Sequence, residues 1–175
     1  MSINFGLGIY YANTNLQYFD DVYTKEDGFV EYGTSFLLFC SSALLFWRFI
    51  KFFSKKKILW KIGILGMALV FLFGAGEEIS WGQRIFNVES SEYFLENNAQ
   101  GETNLHNMVV NGKKINKIIF SQLLTVVLII YLIITPFLYR KYNFIKNLAD
   151  MFAVPIVKWQ HTIAFLSSTV LITFM

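Results

Sequence analysis

The stretch Ile58 to Arg84, ILWKIGILGMALVFLFGAGEEISWGQR, decides how this chain is read. From Ile58 to Gly76 it is almost wholly apolar. That length suits a bilayer, whose hydrocarbon core of roughly 30 Å takes about 20 residues of α-helix to cross. Between Glu77 and Arg84 its character changes, with two adjacent carboxylates, a serine, a tryptophan, a glutamine and an arginine in quick succession. Such a group marks either a membrane–water boundary or the wall of a site.

The composition places the rest of the chain in the same setting. Of 175 residues, 55% are hydrophobic and 18% aromatic, while only 15% are charged, against about a quarter in soluble domains. A soluble fold of this size could not cover so much apolar surface, and a bilayer removes the need. Membrane lipids are therefore the first expected partners. The net charge of +3 is small, and the basic residues lack the patterning that nucleic acid requires. The single cysteine, Cys40, lies in an apolar run and leaves no internal disulfide to form. The N-terminus has neither the basic region nor the long apolar core of a signal peptide.

Four apolar runs have spanning length, at about 29–53, 58–76, 118–139 and 152–175. They are continuous rather than alternating, which excludes transmembrane strands. The expected fold is thus all-α, a single polytopic transmembrane domain over 1–175. Four helices form its bundle, and a polar outer loop over 77–117 carries a short interfacial helix. The loops KFFSKKKILWK and RKYNFIK, with Arg48, hold nine of the fifteen basic residues. By the positive-inside rule they face the cytoplasm and both termini lie outside. Every acid but Asp150 falls on the outer side, while Lys113, Lys114 and Lys117 run against the trend.

This topology gathers three polar clusters at the outer face. In GEEISWGQR, a helix continuing past Gly76 would align Glu77, Ser80, Trp81 and Arg84 on one side. Glu77 and Arg84 would then stand about 10 Å apart and flank a bound molecule, while Glu78 would turn about 100° away. In TKEDGFVEY, Thr24 and Asp27 resemble a capping box, and Glu31 is the stronger site candidate. In NNAQGETNLHNM, Glu102 and His106 have the i, i+4 spacing that could hold one metal or orient a histidine base. Leu105, Met108 and Val109 would form the apolar face of a short helix there. The fourth span adds Lys158 and His161, the latter read as a neutral histidine bonded to a backbone carbonyl.

The motif GEEISWGQR resembles one found in a family of bacterial multi-pass membrane proteins. So does the pattern Asn98, Gln100, Glu102, Asn104, Leu105, His106, Asn107, and EDGFVE looks like that family's first motif. The resemblance runs from about Glu26 to Asn107. It implies a shared polar site, a bacterial inner-membrane location and a longer chain, with a further helix beyond Met175; it names no activity. A looser likeness is to intramembrane glutamate-type proteases of the prenyl-endopeptidase kind. The arginine here stands two positions too far from the glutamates, and Glu102 replaces the phenylalanine four before the histidine.

The expected function is a metal-assisted hydrolase or transferase acting on a lipid or lipid-linked substrate at the outer leaflet. Glu77, Glu78, Arg84 and His106 are its expected catalytic groups, with Ser80, Trp81, Gln83, Gln100 and Asn107 binding substrate. A divalent metal would take Glu31, Glu78, Glu102 and His106. The alternative is a non-enzymatic transporter, channel subunit or accessory partner, using the same carboxylates to bind ions or to dock a second copy or another membrane protein.

Overall fold

The computed structural model describes residues 2–23, 28–114 and 122–173. It falls into two units, one formed by Met1–Gly33 with Val157–Met175 and the other by Thr34–Ile156. Each is considered by itself. The described elements are almost all helical, and three helices are long and apolar enough to cross a membrane: Val30–Phe52, Ile58–Glu78 and Leu124–Lys141.

In the first unit, helix α1 (Ser2–Thr14) leads through Leu16–Tyr18 into a wide helical turn over Phe19–Tyr23. Asn15 caps this second piece, its side chain accepting from the Tyr18 amide at 3.0 Å. Tyr11 packs against Tyr18 and Tyr23, with ring centroids 4.5 and 5.9 Å away. The Thr24–Asp27 capping box lies outside the described residues.

Helices α2 (Phe29–Phe52) and α3 (Ile58–Glu78) form an antiparallel hairpin. Its register is pinned by two serines seven residues apart. Ser35 Oγ donates to the Ala75 carbonyl at 2.8 Å, and Ser42 Oγ to the Ala68 carbonyl at 2.7 Å. Small residues at these positions let two backbones approach closely, as helix pairs in lipid require. Trp60, Ile64, Ala68 and Ala75 are the buried face of α3. By contrast Phe36, Leu37, Leu44, Ile62, Leu69 and Val70 are exposed, as lipid-facing side chains would be.

A short helix, α4 (Glu92–Asn97), and a two-stranded hairpin, β1 (Val109–Val110) with β2 (Lys113–Lys114), follow α3. The expected start of the third span, before Gln122, lies outside the described residues. Its described part is α5, Leu124–Lys141, which widens into a π-turn at Ile130–Ile134. Pro136 explains the widening, because its ring cannot sit over a regular i−4 carbonyl and it has no N–H to donate.

Helix α6 (Asn143–Met151) folds back and is tied down by Tyr139, whose hydroxyl donates to Asp150 Oδ1 at 2.9 Å. Beyond it, Ala153 takes a left-handed φ of 57° and residues 154–158 have no helical structure. The last described helix is therefore α7, Trp159–Thr173, rather than one beginning at 152. Its 15 residues span roughly 22 Å, short of the hydrocarbon core.

Candidate functional site

The polar stretch after Gly76 does not continue as a helix. Helix α3 ends at Glu78, and Ser80, Trp81 and Gly82 form a tight turn with successive φ values of 47°, 55° and 77°. Left-handed backbone at a non-glycine residue costs energy, and persists only where surrounding contacts enforce it. Those contacts are present. Trp81 folds back so that its ring lies over Gly76, where an added Cβ would stand 2.8 Å from a ring carbon. Its Nε1–H donates to Glu77 Oε1 at 2.9 Å, and Phe73 meets the ring edge-on. The alignment of Glu77, Ser80, Trp81 and Arg84 expected from helical spacing is therefore replaced by a turn.

Two carboxylates bind the turn to the distant loop over 98–108, and each comes from the opposite side. Glu77, on α3 and only 2% exposed, accepts from the main-chain N–H groups of Leu105 at 2.7 Å and His106 at 3.1 Å. The His106 ring lies beside it, Nδ1 standing 3.8 Å from Oε2. Glu102, on the loop, accepts from Ser80 Oγ at 2.6 Å and from Asn104 Nδ2 at 2.9 Å. Its other oxygen pairs with Arg84. The turn thus lends a carboxylate to the loop, and the loop returns one to the turn. This arrangement is a reciprocal clasp.

Two asparagines shape the loop for that exchange. Asn104 is 1% exposed, donates to Ser80 Oγ at 2.8 Å, and accepts from Asn98 Nδ2 at 2.9 Å. Asn98 Oδ1 accepts from the amides of Gln100 and Glu102, which holds the chain around Gly101 at φ 69°. Short polar side chains that mimic backbone partners are what tight turns use. No helix forms across 98–108, so the i, i+4 relation of Glu102 and His106 does not hold: Glu102 goes to Arg84, and His106 goes to Glu77. Nor is there an apolar helix face, since Met108 is buried, Leu105 is exposed and Val109 begins β1.

The remaining candidates fall around this clasp. Gln83 accepts from the Thr103 amide of the loop at 2.7 Å and donates to Ser90 Oγ, ahead of α4, at 2.7 Å. Asn107 donates its side-chain amide to Gln100. Glu78 is partly buried on the last turn of α3. Glu31 sits in the first turn of α2, within the other unit. Among the described residues no three His, Cys, Asp or Glu side chains gather as a metal site.

Beside the clasp lies an open cleft of about 530 Å³, lined by Gln83, Arg84, Asn87, Val88, Glu89, Ser90, Leu95 and Gly101. Its volume is in the range of small-molecule sites. No family model, curated protein or solved structure matches the chain. The function therefore has to be argued from this geometry. Asn98, Asn104, Ser90 and Thr103 carry the loop but were not among the expected site residues. Their signal was the dense Asn and Thr content around Gly101, which marks a shaped turn.

Proposed function

We propose that the chain is an integral membrane protein that binds the phosphate-bearing head of a lipid or lipid-linked molecule at the membrane boundary. The supporting observation is the position of Arg84. It lines the cleft just past the end of a spanning helix, anchored on one side by Glu102. A guanidinium is the side chain whose planar fork matches phosphate, and that of Arg84 is 43% exposed. Gln83 and Ser90 add polar groups to the cleft, while Val88 and Leu95 give it apolar walls. That mixture suits a molecule with a polar head and an apolar body. By the distribution of lysine and arginine, the cleft faces away from the cytoplasm in a bacterial inner membrane.

To test this reading, the purified protein is titrated with a short-chain phosphatidic acid and binding is followed by native mass spectrometry. Arg84→Gln should weaken binding about tenfold or more, as loss of a charge-assisted pair to phosphate does. Equal binding by wild type and variant would refute the reading.

A second reading, hydrolysis or transfer on that same head, is favoured by the Glu77–His106 pair. A carboxylate beside Nδ1 directs the other ring nitrogen outward as a proton acceptor, the arrangement of a general base. In this scheme His106→Gln would abolish turnover and leave headgroup binding intact, whereas a pure binding protein would show no turnover to lose.

A further inference from the structure

The opposite end of α3, about 30 Å from the clasp by helical rise, has a different chemistry. Gly63 packs so tightly on the main chain of Phe152 that a Cβ there would sit 1.8 Å from its carbonyl oxygen. This contact brings the start of α3 against the end of α6. Lys51 at the end of α2, Lys55, Lys56 and Lys57 in the α2–α3 loop and Lys61 on α3 flank the first, and Arg140 and Lys141 at the end of α5 with Lys146 on α6 flank the second. No acid occurs over 34–76, and Asp150 is the sole one over 122–156; its carboxylate accepts from Tyr139.

Helix α6 has two apolar edges. Ala149 is buried, with Ile145 and Phe152 partly buried beside it on the protein side. Phe144, Leu148 and Met151, spaced by four and three, form a second stripe that the protein leaves uncovered, with Phe144 74% exposed. Lysines of the α2–α3 hairpin and of the end of α5 lie over aromatic rings: Lys51 stands 4.4 Å from the Trp47 centroid, Lys61 4.0 Å from Phe53, and Lys141 5.4 Å from Tyr142. Aromatic rings with basic heads above them characterise the membrane interface.

We propose that α6 lies in the membrane interface and, with the α2–α3 loop, forms a surface selective for anionic phospholipid. Phe144, Leu148 and Met151 enter the acyl boundary, and the two basic segments hold the headgroups. The argument for lipid over protein is continuity and charge. Spanning helix α5 ends at Lys141, and α6 begins two residues later at Asn143, so the stripe starts at interfacial depth. Amphipathic helices flanked by basic residues bind anionic bilayers. The proposal shares the membrane reading given above but not the ligand of the cleft.

The test uses the full chain with Cys40→Ser and single spin labels introduced by Phe144→Cys, Leu148→Cys or Asn147→Cys. A further label at Leu44→Cys reports on α2. The protein is reconstituted into phosphatidylcholine vesicles with and without phosphatidylglycerol. Labels at 144 and 148 should be relaxed mainly by oxygen, and the label at 147 by a water-soluble nickel chelate. Spin-labelled phosphatidylglycerol should be preferred over phosphatidylcholine by about fivefold, consistent with a few effective surface lysines. Lys55→Gln, Lys56→Gln and Lys57→Gln together, or high salt, should remove most of that preference. Equal water access at 144, 147 and 148 would overturn the proposal. So would shielding of 144 and 148 from both reagents, which would mean that protein covers the stripe, or the absence of any lipid preference. Water access at 44 would instead refute the membrane reading itself.

Discussion

The two ends of helix α3 handle charge in opposite ways. At the Glu78 end, Glu77 and Glu102 are buried, and each accepts from donors more than twenty residues away. At the Ile58 end, the lysines are unburied and lie over aromatic rings. A buried carboxylate must be matched by nearby donors, so it dictates the path of the chain around it. An exposed lysine needs only water or an anionic surface, so it dictates nothing about the local fold. The first end is consequently structured by its charges, while the second is merely decorated by them.

Substitutions should separate the ends accordingly. The largest effect is expected from Glu77→Ala, which strips partners from two main-chain amides and the Trp81 indole at once. A loss of about 3 kcal/mol or more follows from leaving buried donors unsatisfied. Thermal unfolding in detergent, with limited proteolysis of the 98–108 loop, would measure it. Asn104→Ala removes the bridge among Ser80, Glu102 and Asn98, and should cost about 2 kcal/mol by the same assay. Gly76→Ala places a methyl group against the Trp81 ring and should cost about 1–3 kcal/mol. A red shift in tryptophan emission as the ring is displaced would report it. Ser42→Ala, at mid-hairpin, should change stability by only about 0.6 kcal/mol, the usual worth of a hydrogen bond between helices in lipid. A glutamine at Lys55, Lys56 or Lys57 should leave the melting temperature unchanged.

The same contrast explains what the sequence made legible. The spans of α2 and α3 follow from apolar length alone, and their boundaries agree with the runs to within two residues. Convergence of GEEISWGQR with the NNAQGETNLHNM segment also followed from topology. The pairings within that convergence did not. Helical spacing placed Glu77, Ser80, Trp81 and Arg84 on one face and paired Glu102 with His106. The chain instead turns through left-handed backbone at Ser80 and Trp81, which neither residue type advertises. Buried donors around each carboxylate decide the outcome, and such donors are set by tertiary contact rather than by period. The late start of α7 has a similar origin, in a left-handed Ala153 followed by Pro155.

The central claim is that turn and loop each hold the other through a carboxylate. Amide hydrogen exchange on the full chain in detergent tests it most directly, comparing wild type with Glu77→Gln and Glu102→Gln. Glu77→Gln should accelerate exchange in the loop, at Leu105 and His106, although the substitution lies on α3. Glu102→Gln should accelerate exchange in the turn, at Gly82 and Gln83, although the substitution lies on the loop. The α2–α3 hairpin should stay protected in both. Faster exchange confined to the segment bearing each substitution would contradict the reciprocal clasp.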